Sequence, residues 1–229
     1  MRIRVLGTAM FGLVAAAPVH AEERIFLAGG EYSDVAYYSY AGLIVLGPGR
    51  ENGRGFLQRY WVDRFGYEYD GAPGRVEADA FGAEAALGYG ASTATGWWTV
   101  SLGLRYTNTD LSPDDRSASA RGDQLGGKLQ LELDQAIAAN WRASAIASYS
   151  NRQDGYWGRV RVMHQATSRS SVGIEFVANG NDEADSTATG LVLGFKPSAG
   201  RWSVNLRAGY RFQDEDDGAF GGLEFGYGF

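Results

Sequence analysis

The chain of 229 residues contains no cysteine and only two histidines. The absence of cysteine excludes disulfide bonds, a cysteine-ligated zinc site, an iron–sulfur cluster and a thiol nucleophile. Two histidines provide few residues for metal binding or general-base catalysis. The sequence therefore predicts neither a metal site nor a cofactor.

Long apolar runs are also missing after residue 21. No later segment approaches the roughly 18 consecutive apolar residues of a membrane helix. Residues 1–21 have Arg2 and Arg4 at the start, an apolar run over 5–18 and a small-residue cleavage site ending at Ala21. These features are typical of a secretory signal peptide, and we expect residues 22–229 to form the mature domain. The net charge of −6 argues against a nucleic-acid partner.

Glycine and aromatic residues are abundant. The 33 glycines are about twice the average usage and disfavour helices, while 13% of the residues are aromatic. Apolar residues alternate with polar or small ones from Trp98 to Tyr106, and again near 125–133, 141–149 and 202–212. Alternation places the two sets on opposite faces of a strand. Aromatic residues at the strand ends, with aliphatic ones between, indicate an apolar band between two interfacial girdles.

These segments predict a specific fold. It is an all-β, transmembrane, antiparallel up-and-down barrel of about twelve strands, with ten as the alternative, because an exported chain without membrane helices can span lipid only as a closed barrel. Short connections alternate with longer polar ones such as 108–120 and 178–186, as in outer-membrane barrels. The predicted strands are near 25–31, 38–46, 56–65, 76–89, 97–107, 121–135, 141–150, 156–165, 171–178, 187–196, 202–212 and 219–229.

The last strand carries four apolar residues on one face and ends on an aromatic residue. This pattern resembles the terminal signal by which the insertion machinery recognises outer-membrane barrels. The residues of this predicted barrel-assembly signal are Leu223, Phe225, Tyr227 and Phe229.

Both signs of charge occur on the predicted inner face of the barrel. One interpretation is a self-neutralising network that fills a narrow interior, and the other is a polar path that contacts a hydroxyl-rich solute. Trp157 shares a face with two arginines and could stack on a sugar ring. The candidate binding residues in the lumen and loops are Trp157, Arg159, Arg161, Arg105, Glu132, Arg207, Glu224, Asp114 and Asp115.

Catalytic motifs are not evident. No Gly-x-Ser-x-Gly elbow, His-Glu-x-x-His pair or Walker loop is present, and the parity of His164 places it on the lipid side. A pair of carboxylates remains the one catalytic alternative, with Asp114, Asp115 or Glu175 as candidates.

Several segments resemble the cellulose biosynthesis protein BcsS family. The most specific is Ser112-Pro113-Asp114-Asp115 followed by Gly122 and Gly126. The other matching segments are 37–42, 55–59, 67–69, 87–89 and 156–161. The resemblance implies an outer-membrane protein associated with bacterial cellulose production, and it implies no catalytic residue.

The leading functional hypothesis is a non-enzymatic barrel of the bacterial outer membrane that assists cellulose secretion, anchoring or surface organisation. The expected partners are outer-membrane lipid and lipopolysaccharide, the barrel insertion machinery, and cellulose or cellulose-export proteins. Two alternatives stay open: a hydrolase acting on glucan or lipid, and a general solute pore.

Overall fold

The computed structural model describes residues 24–47, 53–72, 74–152, 154–197, 200–213 and 217–229. The predicted signal peptide at 1–21 lies outside these residues. Residues 22–23 and parts of five connections, at 48–52, 73, 153, 198–199 and 214–216, also lie outside them.

Strands make up most of the described chain. They are β1 Arg24–Ser33, β2 Ala36–Leu46, β3 Arg54–Gly71, β4 Gly74–Ser92, β5 Gly96–Ser112, β6 Gly122–Ala138, β7 Trp141–Ser150, β8 Tyr156–Gln165, β9 Ser170–Gly180, β10 Asp185–Phe195, β11 Trp202–Gln213 and β12 Gly218–Gly228. Each strand pairs antiparallel with its sequence neighbours, and β12 pairs with β1 to close the barrel. The predicted all-β antiparallel barrel is confirmed, with twelve strands rather than ten.

No helix in the described ranges is long and apolar enough to cross a membrane.

The two ends of the described chain meet at the seam of the barrel. The Arg24 amide donates to the Phe229 carbonyl at 2.8 Å, and the Phe229 amide donates back at 2.9 Å. Closure leaves no unpaired strand edge. We call the end of the barrel that holds these residues the terminal rim, and the opposite end the far rim.

The outer face carries the predicted apolar residues. On β5, Leu102 is 67% exposed and Leu104 is 60% exposed, whereas the intervening residues face inward. Exposed aromatic side chains form two rings around the outside. The ring near the terminal rim contains Phe56, Tyr89, Trp98, Trp141, Phe195, Trp202, Tyr227 and Phe229, and the ring near the far rim contains Tyr32, Tyr106, Tyr149, Tyr210 and Phe212. The predicted assignment of strand faces is therefore confirmed.

Strands β3 to β6 form a tall wall at the far rim. They have 17 to 19 residues, whereas the other strands have 10 to 12. The strand ends predicted at 65 and 107 were therefore too early. In the extension the apolar side chains of Tyr69 and Val76 are buried on the inside, and the Arg75–Glu68 ion pair lies on the surface. The alternation continues, but the polar face is now the outer one.

Two connections cover part of the far rim. In this roof, made of loop 113–121 and turn 181–184, Ser119 donates from its amide to Glu183 Oε1 at 2.6 Å. Asn181 Nδ2 donates to the Tyr67 hydroxyl at 3.1 Å. Ala118 and Ala184 pack against the buried cluster of the tall wall. Because β3 and β9 lie opposite each other in the ring, the roof spans the mouth of the lumen.

Candidate functional site

The lumen side of β3 to β6 carries a neutral cluster of three cations and three carboxylates. Glu84 accepts hydrogen bonds from Arg59 Nε at 3.1 Å and Lys128 Nζ at 2.7 Å. Arg59 also donates to Glu132 Oε1 at 2.9 Å. The cluster consists of Arg59, Asp63, Glu84, Arg105, Lys128 and Glu132. Because the charges balance, the cluster provides little net field for a charged solute.

A bidentate pair completes this cluster. Both Arg105 Nη atoms donate to the Asp63 carboxylate at 2.8 Å. A side chain at Gly82 would collide with the Asp63 carboxylate, so glycine on the neighbouring strand makes room for the pair. A bidentate pair between a guanidinium and a carboxylate is strong and fixes the orientation of both groups.

The opposite side of the lumen carries an arginine-rich cluster. Arg207 reaches Glu175 Oε1 at 2.6 Å and Glu31 Oε2 at 2.9 Å. Arg161 donates to Glu175 Oε2 at 2.7 Å and to Glu224 Oε2 at 2.9 Å. Four arginines meet three carboxylates here, namely Arg159, Arg161, Arg207 and Arg211 with Glu31, Glu175 and Glu224. Each charge is paired, as burial in a barrel requires.

An aromatic stack lines the lumen beside the neutral cluster. The Tyr40 and Trp61 rings stack at 4.6 Å and 13°, and the Arg59 guanidinium lies 4.2 Å from the Trp61 ring centroid. Trp61 Nε1 donates to the Tyr38 hydroxyl at 3.2 Å. A Cβ atom at Gly42 would overlap the Trp61 ring, so this glycine lets the ring lie flat on β2. With Tyr40 and Arg59 against its ring, Trp61 is a structural element of the wall.

The clusters leave two cavities in the barrel. The large cavity, of about 480 Å³, reaches from the roof into the middle of the lumen, with Tyr67, Asn181 and Glu224 in its lining. The terminal cavity, of about 430 Å³, opens near Asn140. Arg161 and Asn205 line both cavities, and both donate to Glu224. We call these three residues, which lie where the two cavities meet, the partition.

The structure brings most of the predicted lumen residues to one cavity. Trp157, Arg159, Arg161, Arg207 and Glu224 line the large cavity from one side, and Arg105 and Glu132 line it from the other. The four residues of the predicted assembly signal are exposed on the outside of the barrel, three on β12 and Phe229 just after it. His164 also lies outside the lumen, with its ring centroid 4.8 Å from that of Trp141.

The two predicted loop acids have different environments. Asp114 is exposed and pairs with Arg121 at 2.6 Å. Asp115 is only 3% exposed and accepts hydrogen bonds from the Ser117 hydroxyl at 2.5 Å and the Tyr69 hydroxyl at 3.4 Å. The Ser117 hydroxyl and amide hold the pKa of Asp115 below its usual value. Asp115 thus fastens the roof to the tall wall, and neither acid lies on the lumen cavity.

Sequence analysis missed several residues of the site. Glu31 belongs to a segment rich in glycine and alanine, where alternation is weak. Residues 27, 29 and 31 share one face of the strand, and this spacing could have placed Glu31 in the lumen. Asn179, Ser186 and Gln213 also line the large cavity. They are uncharged and lie at strand ends, where the predicted boundaries stop short.

The arrangement offers little catalytic chemistry. Glu175 is held between Arg161 and Arg207, and its side chain is fully buried. Each of its two oxygens accepts from a guanidinium, so neither oxygen is free to contact a substrate. Within the described ranges, no group of three or more His, Asp or Glu side chains could hold a metal ion. The site is better suited to binding polar molecules by hydrogen bonds.

Comparisons with known proteins identify one family and one type of fold. The profile of the family described as "Cellulose biosynthesis protein BcsS" matches residues 25–229. No curated protein matches the sequence.

Solved structures of outer-membrane barrels are similar in fold. KdgM porin shares 10% identity at a TM-score of 0.53, covering 90% of this chain and 99% of its own. A TodX deletion mutant, a monoaromatic hydrocarbon channel, shares 11% sequence identity at a TM-score of 0.55. The alignment covers 93% of this chain and 91% of the TodX chain. The translocator domain of autotransporter NalP from Neisseria meningitidis shares 10% sequence identity at a TM-score of 0.52. The alignment covers 93% of this chain and 90% of the NalP chain. At these identities the likeness concerns the fold alone.

Proposed function

The chain belongs to the BcsS family of cellulose biosynthesis proteins, and from this premise we propose that it is a non-enzymatic outer-membrane barrel that assists cellulose secretion, anchoring or organisation at the cell surface. Residues 1–21 serve as the export signal. We place the far rim outside and the terminal rim in the periplasm, because the tall wall and the roof extend the far rim, as the longer extracellular loops do in outer-membrane barrels.

The outer surface supports the membrane assignment. Trp98 and Tyr106 bound the exposed apolar face of β5, eight residues apart, or about 27 Å along a strand. Because strands of outer-membrane barrels tilt by about 35–45°, this corresponds to about 20 Å along the membrane normal, near the height of about 25 Å of their apolar band. Beyond it, Arg64 pairs with Asp79 on the outer face at 2.9 Å. Polar side chains at this level suit the headgroups of lipopolysaccharide, which we assign as a contact of the tall wall.

The paired state of the lumen carboxylates is the observation that carries the non-enzymatic assignment. Glu84, Glu175 and Glu224 each contact at least two cationic side chains. A glycosidase needs two carboxylates in different environments beside the scissile bond. The lumen is instead built to present fixed donors and acceptors to a glycan or a protein partner, such as cellulose or a component of its export apparatus.

Deletion of the gene tests this proposal. We expect less secreted cellulose, or cellulose that is no longer retained at the cell surface, with normal synthase activity in isolated membranes. Normal amount and location of cellulose in the deletion strain would overturn the assignment. Complementation with Asp114→Asn and Glu175→Gln variants addresses the hydrolase alternative: loss of glucan or lipid turnover, in a folded variant, would favour an enzyme.

A solute pore is the second candidate, favoured by the two cavities that follow each other through the barrel. The Arg161–Glu224–Asn205 partition lies where the two cavities meet, and we expect it to narrow the passage. We therefore expect the purified barrel to conduct poorly in a planar bilayer. Steady, wide-open conductance of the unaltered protein would favour the pore over an accessory role.

A further inference from the structure

We propose that the large cavity binds a short, uncharged glucan segment along a polar row on β8 to β11. The row consists of Trp157, Asn179, Ser186 and Gln213, with Arg211 beside it, and all five line the cavity. The proposal deepens the proposed function by placing the glycan contact at these side chains, and the choice of glucan as the ligand rests on that function.

Strand register places the row in one line across the barrel wall. Trp157 is the partner of Asn179, Asn179 of Ser186, and Ser186 of Gln213. Three strand spacings amount to about 14 Å, which is long enough for more than one pyranose ring. The row therefore follows the wall as a continuous strip of polar groups that begins at an aromatic side chain.

Hydrogen bonds fix the middle of the row before any ligand arrives. Ser186 Oγ donates to Asn179 Oδ1 at 3.0 Å, and Arg211 Nη1 donates to Ser186 Oγ at 2.8 Å. Arg211 is held in turn by its ion pair with Glu31. Groups that are already oriented lose little conformational entropy on binding.

Two atoms at the end of the row have unmet hydrogen-bonding capacity. Arg211 Nε and Gln213 Oε1 are buried, and neither has a partner among the described residues. Arg211 is 8% exposed. A buried polar atom without a partner is costly, and a ligand that satisfies both atoms would recover this cost.

The character of these two atoms selects the ligand. Arg211 Nε is a donor and Gln213 Oε1 is an acceptor, so hydroxyl groups, which both accept and donate, can satisfy both once the two side chains turn toward the cavity that they line. An ionised carboxylate only accepts, so it could bond Arg211 Nε but would leave Gln213 Oε1 without a donor. The cavity therefore favours a neutral polyhydroxylated chain over an acidic one of equal length.

The part of Trp157 that stays exposed at the cavity can provide an apolar contact for such a chain. Trp157 is half-buried, packs against the Val177–Ala188–Phe220 cluster and has Arg159 on its ring at 5.7 Å. The carbon–hydrogen faces of a pyranose ring can pack on an aromatic side chain while the hydroxyl edges reach polar groups, as in other pockets that combine apolar walls with a few placed polar groups.

Calorimetric titration of the folded barrel in detergent with cellotetraose tests the proposal. We expect saturable binding that is about five- to tenfold weaker in Gln213→Leu, because one hydrogen bond to the ligand is lost. Trp157→Leu should weaken binding further. Gln130→Leu is the matched control, since Gln130 lines the opposite side of the same cavity and should leave the affinity unchanged.

Three results would overturn the proposal. The first is no heat of binding with a folded barrel, and the second is equal weakening by Gln213→Leu and Gln130→Leu. The third is tighter binding of tetragalacturonic acid than of cellotetraose. Fold is checked in each variant by the heat-dependent shift in gel mobility. The outcome is separable from the gene deletion. If the deletion lowers cellulose output but the purified barrel does not bind cellotetraose, only this inference fails. If the purified barrel binds cellotetraose but the deletion strain has normal cellulose, the proposed function fails.

Discussion

Arg161 and Glu224 form a buried ion pair, with Nη1 2.9 Å from Oε2, at the layer where the two lumen cavities meet. Glu224 also accepts from Arg159 Nη1 at 2.5 Å and from Asn205 Nδ2 at 3.2 Å. One carboxylate on the last strand thus joins strands β8 and β11 across the lumen. Its removal would leave two guanidiniums short of a counter-charge.

Glu224→Gln should lower the free energy of unfolding by about 3–5 kcal/mol, because removing one partner leaves buried charge uncompensated. Urea unfolding of the barrel in lipid vesicles, followed by tryptophan fluorescence, measures the loss. Glu68→Gln is the control, since its pair with Arg75 lies on the surface and is worth about 0–1 kcal/mol. Equal losses in both variants would show that the partition contributes nothing special to stability.

The sequence was sufficient for the barrel and its faces because period-two alternation is clear in strands such as β5, β6 and β11. It failed at the tall wall for a physical reason. Residues such as Glu68 and Tyr69 still alternate, but the outer side there is charged and the inner side is covered by the roof. A rule that places apolar side chains outward therefore ends β3 too early.

The site was predicted as a set of charges rather than as a geometry. Parity placed Arg161, Arg207 and Glu224 in the lumen, but pairing distances depend on the stagger of strands around the barrel, which no single segment encodes. The burial of Asp115 was equally invisible, because its partner Tyr69 lies 46 residues away in the chain.

The roof should depend on the hydrogen bond from Asn181 to Tyr67. Tyr67→Phe removes only the hydroxyl, so we expect hydrogen exchange in 113–121 and 181–184 to become about three- to tenfold faster, in line with the loss of one hydrogen bond. Tyr106→Phe is the control, because its hydroxyl bonds Asp123 on the outer surface. Unchanged exchange in the roof of Tyr67→Phe would mean that the apolar contacts hold it alone.

Acidification should loosen the same roof through Asp115. Its pKa is lowered in the folded protein by the Ser117 hydroxyl and amide. The stabilisation is therefore present above the ordinary aspartate pKa of about 3.9, and is lost as the pH falls through the lower folded value.

A spin label tests this, since the chain has no cysteine and Arg116→Cys provides a single exposed attachment point. We expect label mobility to rise as the pH drops below about 4. In an added Asp115→Asn background, the label should already be mobile at neutral pH and should show no further acid response. A label that stays immobile at low pH in the first variant would contradict the assigned role of Asp115.

Phe229 should act in assembly rather than in stability. Its ring contacts Tyr227 at 5.8 Å on the outer surface, while its backbone closes the barrel through Arg24. Phe229→Ala keeps both backbone bonds, so we expect normal refolding in detergent but less assembled barrel in the outer membrane of cells. Phe195→Ala is the matched control: Phe195 is equally exposed in the same aromatic ring, at 45% against 46%, but lies at the end of β10. If both variants assemble equally well or equally poorly in cells, the terminal aromatic residue carries no recognition signal and serves only as part of the girdle.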